Sequence, residues 1–287
     1  MAATLRLRRV SDAPGASFFV GSAIFHYLGP SFAVLLFARI APPGVAWLRI
    51  ATAAAVYAAW RRPWRTLAGT TSRTRRDIVA MGVVLGLMNP VFYAAIDRLP
   101  LATVAAIEFV PVVALAAAGA RNRRNAAALV VAVGGVALLT DVRLAGELLG
   151  FVLAFANAAL FALYIVLAHR VAQQNDVAGI DGLGAAMLVA LAVVTPLGGW
   201  AAAPAFAHPG LLAAGLGVGV TSSVIPYVCD QLAMARMARA TYALFVSILP
   251  ATAAVVGVVV LTQIPRPAEV LGIALVAGGV ALHRERR

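Results

Sequence analysis

Apolar residues fall in ten long runs along this chain, at about 16–37, 44–60, 77–96, 99–120, 126–140, 147–168, 181–202, 210–234, 240–263 and 268–283. Short polar breaks separate them, marked by Pro42-Pro43, Pro63, Pro100, Pro204, Pro209 and Pro265. Several runs reach 17 residues or more, close to the ~20 residues a helix needs to cross the hydrocarbon core. The pattern predicts an all-α membrane protein with ten transmembrane helices. The first run follows Arg6, Arg8 and Arg9, as in a signal peptide. It is too long for a signal core and lacks a small-residue cleavage site, so it is read as the first span.

Composition sharpens this picture. Of 287 residues, 62% are hydrophobic and 12% charged, and mean hydropathy is +0.93, which no soluble domain of this length matches. Ten spans leave only short loops, so one membrane domain is expected. The net charge of +12 invites a nucleic-acid reading, but the placement of the charge argues against one. All 23 basic residues are arginine, and 18 lie in alternate loops and the two termini against four (Arg39, Arg98, Arg143, Arg266) on the opposite side. The positive-inside rule then puts both termini in the cytoplasm of a multi-pass cell (inner or plasma) membrane protein. Trp47 and Trp200 near outer ends, and Trp60 near an inner end, are placed as interface anchors. The single cysteine, Cys229, excludes an internal disulfide and reads as a small core residue.

The chain also repeats itself. Val-Gly-Gly-Val-Ala-Leu at 133–138 recurs as Ala-Gly-Gly-Val-Ala-Leu at 277–282. Pro90 answers to Pro226 and Pro111 to Pro250, and the pair Gly82/Gly86 to Gly215/Gly219. The repeat of about 140 residues holds five spans, an odd number, so the second copy (144–287) enters the membrane inverted relative to the first (1–143). Inverted repeats place their substrate site near the midplane between the halves.

A carboxylate in an apolar span costs roughly 2.5–3.5 kcal/mol, so Glu108 must face a polar interior. Arg49 lies roughly 8 Å, Asn89 roughly 11 Å and Glu108 roughly 13 Å from the outer face, counted at 1.5 Å per residue. Three polar groups on three spans at similar depth can share one cavity, with Phe92 and Tyr93 as its wall. Arg49 presents a planar fork to a carboxylate and Glu108 an acceptor to an ammonium group, which suits a zwitterionic amino acid. Direct Arg49–Glu108 pairing is the structural alternative, and Asn89 beside Pro90 has the alternative task of satisfying carbonyls that the proline frees. In the second half Ser222, Ser223, Tyr227 and Asp230 lie toward the cytoplasmic end of the eighth span. Tyr227 and Asp230 share a face, and Asp230 suits an inner gate or a proton carrier, or else a pair with Arg236. His26 titrates near neutral pH and suits a proton relay or a hydrogen-bonded core position. Asn157 and Tyr164 are weaker cavity candidates. No cofactor or metal is expected. The chain has no His-Glu-x-x-His, Gly-x-Ser-x-Gly or phosphate-loop motif, which argues against a membrane protease, a metalloenzyme or an ATP-driven pump.

With these residues in view, the chain resembles the EamA-like drug/metabolite transporter superfamily, over nearly its whole length. Pro-Gly-Val-Ala-Trp-Leu-Arg at 43–49, Gly-Leu-Met-Asn-Pro-Val-Phe-Tyr at 86–93, Ala-Ile-Glu-Phe at 106–109 and Ser-Val-Ile-Pro-Tyr at 223–227 with Asp230 resemble the bacterial threonine/homoserine exporters within it. The resemblance implies a secondary carrier that exports small amino acids or related metabolites on the proton gradient, with Arg49, Asn89, Tyr93 and Glu108 lining the cavity. The chain departs from the family pattern at Leu249, where many relatives carry Glu, at Thr262-Gln263, where many carry Gly-Glu, and at His26-Tyr27. The expected partners are a small-molecule substrate, protons and the bilayer, with homodimer pairing through the fifth and tenth spans as one arrangement the pattern allows. A broad drug/metabolite exporter and a non-transporting scaffold or sensor stand as the other readings.

Overall fold

The computed structural model describes residues 15–119, 123–141, 147–172, 174–234 and 249–282. Expectations that rest on Arg6, Arg8, Arg9, Arg121, Arg143, Arg236, Arg239, the arginine-rich tail or residues 240–248 lie outside them. The helices are α1 (Gly15–Leu36), α2 (Pro42–Arg61), α3 (Pro63–Gly69), α4 (Ser72–Ile96), α5 (Leu101–Gly119), α6 (Arg123–Asp141), α7 (Leu148–Ala172) and α8 (Gly179–Gly198). A 3-10 turn (Trp200–Ala202) and α9 (Ala203–Ala207) lead to α10 (Pro209–Gly219), which runs through a π turn (Val220–Val224) into α11 (Ile225–Met234). Then come α12 (Leu249–Leu261) and α13 (Pro267–Leu282), and there is no strand among the described residues.

Among the described residues, five segments are long and apolar enough to cross a bilayer: Gly15–Leu36, Ser72–Ile96, Leu148–Val171, Gly179–Gly198 and Pro209–Asp230. Leu101–Pro111, Leu249–Leu261 and Pro267–Leu282 are shorter apolar helices. The protein is thus an all-helical, multi-pass membrane protein. Several boundaries differ from the sequence reading for local reasons. Thr71 caps α4 by accepting the Thr74 N–H (3.3 Å), so α4 starts at Ser72, five residues before expectation. Pro63 at the first turn starts the short α3, after Arg62 turns left-handed (φ 51°). α8 stops at Gly198 and gives way to the tighter 3-10 turn. Trp47 also ties helices together: its Nε1–H donates to Thr195 Oγ1 (3.0 Å) and its ring meets Phe206 edge-on. Trp60 and Trp200 are exposed, as anchors are.

Helices in lipid associate through close packing of small residues, and the glycines mark where. A Cβ on Gly82 would fall 2.6 Å from the Ala186 carbonyl oxygen of α8, and one on Gly86 2.9 Å from that of Ala190. Gly215 and Gly219 of α10 abut Leu48 and Thr52 of α2 in the same way. In the repeated Gly-Gly motif, Gly135 meets the Gly272 carbonyl and Gly279 meets that of Ala128, while Gly134 and Gly278 face open space. The two copies of the motif therefore pack α6 and α13 against each other reciprocally. Beyond the spans, Asp176 clips the α7–α8 loop to the start of α4: Thr71 N–H donates to Oδ2 (2.9 Å) and the Thr74 hydroxyl to Oδ1 (2.8 Å). Nearby, Arg61 Nε pairs with Asp181 Oδ1 at 2.6 Å.

Two predictions follow from this packing. Gly82→Ala forces α4 off α8 and destabilises the protein by about 1–3 kcal/mol, whereas Gly134→Ala is neutral or stabilising by up to ~1 kcal/mol; thermal unfolding in detergent compares the two. The Thr71 N–H and Thr74 hydroxyl hold the Asp176 carboxyl below its ordinary value of 3.8. A depressed carboxylate stabilises the fold above its unfolded pKa, and that stabilisation is lost as pH falls through the folded value. Hydrogen exchange at Thr71 is therefore faster in Asp176→Ala than in wild type at pH 7, and the two converge once the pH drops well below 3.8.

Candidate functional site

Arg49 of α2 is buried in the protein interior, 6% exposed. Its Nε–H donates to Ser223 Oγ at 2.7 Å and its Nη2 to the Ser222 carbonyl at 3.1 Å. Local sequence explains why that carbonyl is available. Proline has no N–H, so Pro226 leaves the carbonyl four residues earlier, that of Ser222, without its α-helical donor. The π turn at Val220–Val224 loosens the ladder in the same place. The guanidinium carbon lies 5.6 Å from the centre of the Tyr93 ring, and Tyr93 is braced by Phe37 and Phe92. Gly29 of α1 lets that helix cross directly against Ser222.

Glu108 of α5 is equally enclosed, at 6% exposure. Its Oε1 accepts from Asn157 Nδ2 of α7 at 3.0 Å. Arg49 and Glu108 lie within electrostatic reach of each other. No ion pair joins them, so the structural-bridge alternative is set aside; Arg61–Asp181 is the salt bridge among the described residues. Tyr227 is within reach of both charges and of Asp230, Tyr27 is within reach of Glu108, and His26 is within reach of Arg49. Four buried polar atoms in this centre have no hydrogen-bond partner: Tyr27 Oη, Tyr93 Oη, Ser222 Oγ and Asn157 Oδ1. A cation and an anion that do not neutralise each other, with unsatisfied hydroxyl and amide groups in the same interior, leave opposite charges and hydrogen-bonding capacity unspent.

The structure thus draws Arg49, Glu108, Tyr93, Tyr227 and His26 to one centre. Phe92 supports Tyr93 from behind. Asn89 spends its Nδ2 on the Leu85 carbonyl of its own helix (2.8 Å), one residue before the Gly86 carbonyl that Pro90 leaves without a donor. Asp230 lies one turn beyond Tyr227. The outer set in the first half and the Ser222–Tyr227 set in the second, taken as separate by depth counting, are one site through Arg49. Asn157 carries more than the sequence reading gave it, and a lone amide in an apolar run was the available signal. Tyr27 gave no such signal. Of the departures from the family pattern, Gln263 Oε1 accepts the Leu101 N–H (3.1 Å) and so caps the helix that carries Glu108, and Leu249 packs on the core.

Residues 148–284 match the EamA-like transporter family. Over 252 residues the chain is 31% identical to the threonine/homoserine exporter RhtA of Escherichia coli (strain K12), covering 86% of this chain and 83% of that protein. The exporter of the same name from Salmonella typhimurium (strain LT2) is 31% identical over 238 residues, 82% of this chain and 79% of the relative. One solved crystal structure shares the fold with a TM-score of 0.56 at 20% identity, over 94% of this chain and 96% of that one.

Ser223→Ala removes the acceptor of Arg49 Nε. A hydrogen bond to a charged group contributes about 1.5–3 kcal/mol, and the substitution lowers stability by about that much. In an Arg49→Gln background the same substitution costs little. A double-mutant cycle by thermal unfolding checks this, and strictly additive losses would show that the two side chains are not coupled.

Proposed function

This chain belongs to the EamA-like transporter family, and from that premise we propose that it exports small zwitterionic amino acids of the threonine or homoserine kind by proton-coupled alternating access. The observation that carries the reading is the buried, unpaired couple of Arg49 and Glu108. The substrate carboxylate takes N–H groups of the guanidinium, those held by Ser222 and Ser223 included, and its ammonium group faces Glu108. The hydroxyls of Tyr27, Tyr93 and Ser222 and the carbonyl of Asn157 complete the polar lining. Tyr227 lies between the charges, and Phe92 and Asn89 hold the α4 wall in place. Glu108 carries the coupled proton, since its charge decides whether an ammonium is held or released. Asp230 and His26 flank the site as proton-relay positions. The relatives' named substrates point the same way.

The proposed frame is ten spans in two inverted halves, 1–143 and 144–287, with both termini cytoplasmic. Support comes from the reciprocal crossing of Gly135 and Gly279 and from the paired approaches of Gly82/Gly86 to α8 and Gly215/Gly219 to α2. Under this frame the Arg49–Ser223 contact spans the seam between the halves.

Efflux of labelled threonine from loaded vesicles tests the reading. Wild type responds to an imposed pH gradient, and Glu108→Gln loses that response. Arg49→Gln weakens substrate binding about ten- to a hundredfold, the worth of a charge-assisted contact. If Glu108→Gln follows the gradient as wild type does, the coupling role is wrong. If a competition panel shows unrelated drugs displacing threonine equally, the narrow substrate class is wrong.

A further inference from the structure

A polar cavity of about 450 Å³ lies at the far end of α4 from the central site. It is lined by Arg73, Arg76 and Asp77 from the first turns of α4, by His169 and Arg170 in the last turn of α7, and by Gln174 just beyond it. Tyr93, beneath Arg49, is 16 residues further along α4 than Asp77, or roughly 24 Å at 1.5 Å per residue. The cavity is therefore separate from the transport centre. Every lining residue is polar, and three arginines face one carboxylate, which leaves an excess of positive charge even with His169 neutral.

The geometry points to a docking site for one anionic phospholipid, with its phosphate among Arg73, Arg76 and Arg170 and its chains along α4 and α7. Three observations carry this. First, the cavity walls are preformed, because the Asp176 clip to Thr71 and Thr74 ties the loop after α7 to the start of α4. Second, exposed apolar positions lead straight away from the arginines on both helices. On α4, Val79 and Leu87 follow Arg76 at spacings of three and eleven, which keeps them on one helical face. On α7, Leu163 lies seven residues before Arg170, and Val152 and Phe155 continue the same exposed face. Third, Trp60 and Trp64, both exposed, flank this end of the molecule at α2 and α3, as residues at headgroup level do. Basic pockets between membrane helices, backed by apolar helix faces, suit lipid headgroups. A free anion would use the arginines and leave the two apolar faces unexplained. Asp77, buried beside Arg73, sets the sign of a further effect: its carboxylate repels the phosphate and weakens the site.

The test uses the full chain in detergent, with native mass spectrometry and thermal unfolding as readouts and no transport measurement. Palmitoyl-oleoyl phosphatidylglycerol binds at one saturable site and raises the melting temperature, while the phosphatidylcholine of the same chains does not. The triple variant Arg73→Gln/Arg76→Gln/Arg170→Gln weakens phosphatidylglycerol binding about a hundredfold, as three lost arginine contacts would. Asp77→Asn tightens it. If the triple variant does not fold, Arg170→Gln alone shows about a fivefold loss. The control Arg65→Gln/Arg75→Gln, outside the cavity, binds as wild type. The proposal is overturned if the control loses as much as the triple variant, because the attraction is then diffuse. It is also overturned if phosphatidylcholine stabilises equally, or if soluble glycerol phosphate alone gives the full shift.

Discussion

The link between Arg49 and the π turn is the contact on which the rest of the interior depends. A guanidinium inside an apolar bundle is tolerated only where acceptors replace the water it has lost. Here the acceptors come from 173 and 174 residues away, through the Ser222 carbonyl and the Ser223 hydroxyl. Pro226 makes that carbonyl available, and the face of Tyr93 adds a third attraction. Because the donors sit on α2 and the acceptors on α10–α11, the two helices must run close together. The approach of Gly215 and Gly219 to Leu48 and Thr52 provides that closeness. A bulkier residue at either glycine would separate the charge from its acceptors as well as the helices from each other.

Glu108 is held by a different logic. It has one donor, Asn157, and the fixed positive charge of Arg49 at a distance. A full ion pair between the two would satisfy both groups and leave nothing to offer a ligand. Their separate anchorage keeps both charges in the site while each remains individually tolerable. It also makes the two anchors unequal: Arg49 is tied across sequence-distant helices by two bonds, and Glu108 by a single neutral amide. Gln263 adds indirect control, since by capping α5 at Leu101 it fixes the register of the helix that carries Glu108.

Much of this was legible in the sequence, and the reason is that bilayers tolerate few polar groups. Arg49 and Glu108 stand out from their apolar neighbours, and Pro226 identifies in advance which carbonyl is left free. The glycine pairs at 82/86 and 215/219 announce close crossings. What single-chain reading could not supply is which helix lies across each crossing, and so which donor reaches the freed carbonyl. Depth counting grouped Asn89 with Arg49, but depth fixes only one coordinate, and Asn89 turns back onto Leu85. It also separated Ser222 and Ser223 from Arg49, because the second half was counted as a set of its own. The position of Trp47 near a helix end says nothing of Thr195, its partner across the helices. Tyr27, wholly buried beside Glu108, looks in the sequence like any core aromatic.

The character of the Arg49 anchors also bears on how a carrier with this interior would respond to its cargo. Both acceptors are neutral, and a carboxylate accepts from a guanidinium with roughly twice the strength of a neutral group. An incoming carboxylate therefore competes favourably for the same donors. When it wins, it leaves a serine hydroxyl and a carbonyl already freed by proline, sited in a π turn that departs from regular helix geometry. The loss is smaller there than it would be in an unbroken helix, where the ladder itself would have to open. Under the proposed function, the contact that holds α2 to α10–α11 is thus the one most readily exchanged for a substrate carboxylate. Under the proposed inverted frame, that exchange changes what holds the two halves together, which is the differential contact that a ligand-driven shift between conformations requires.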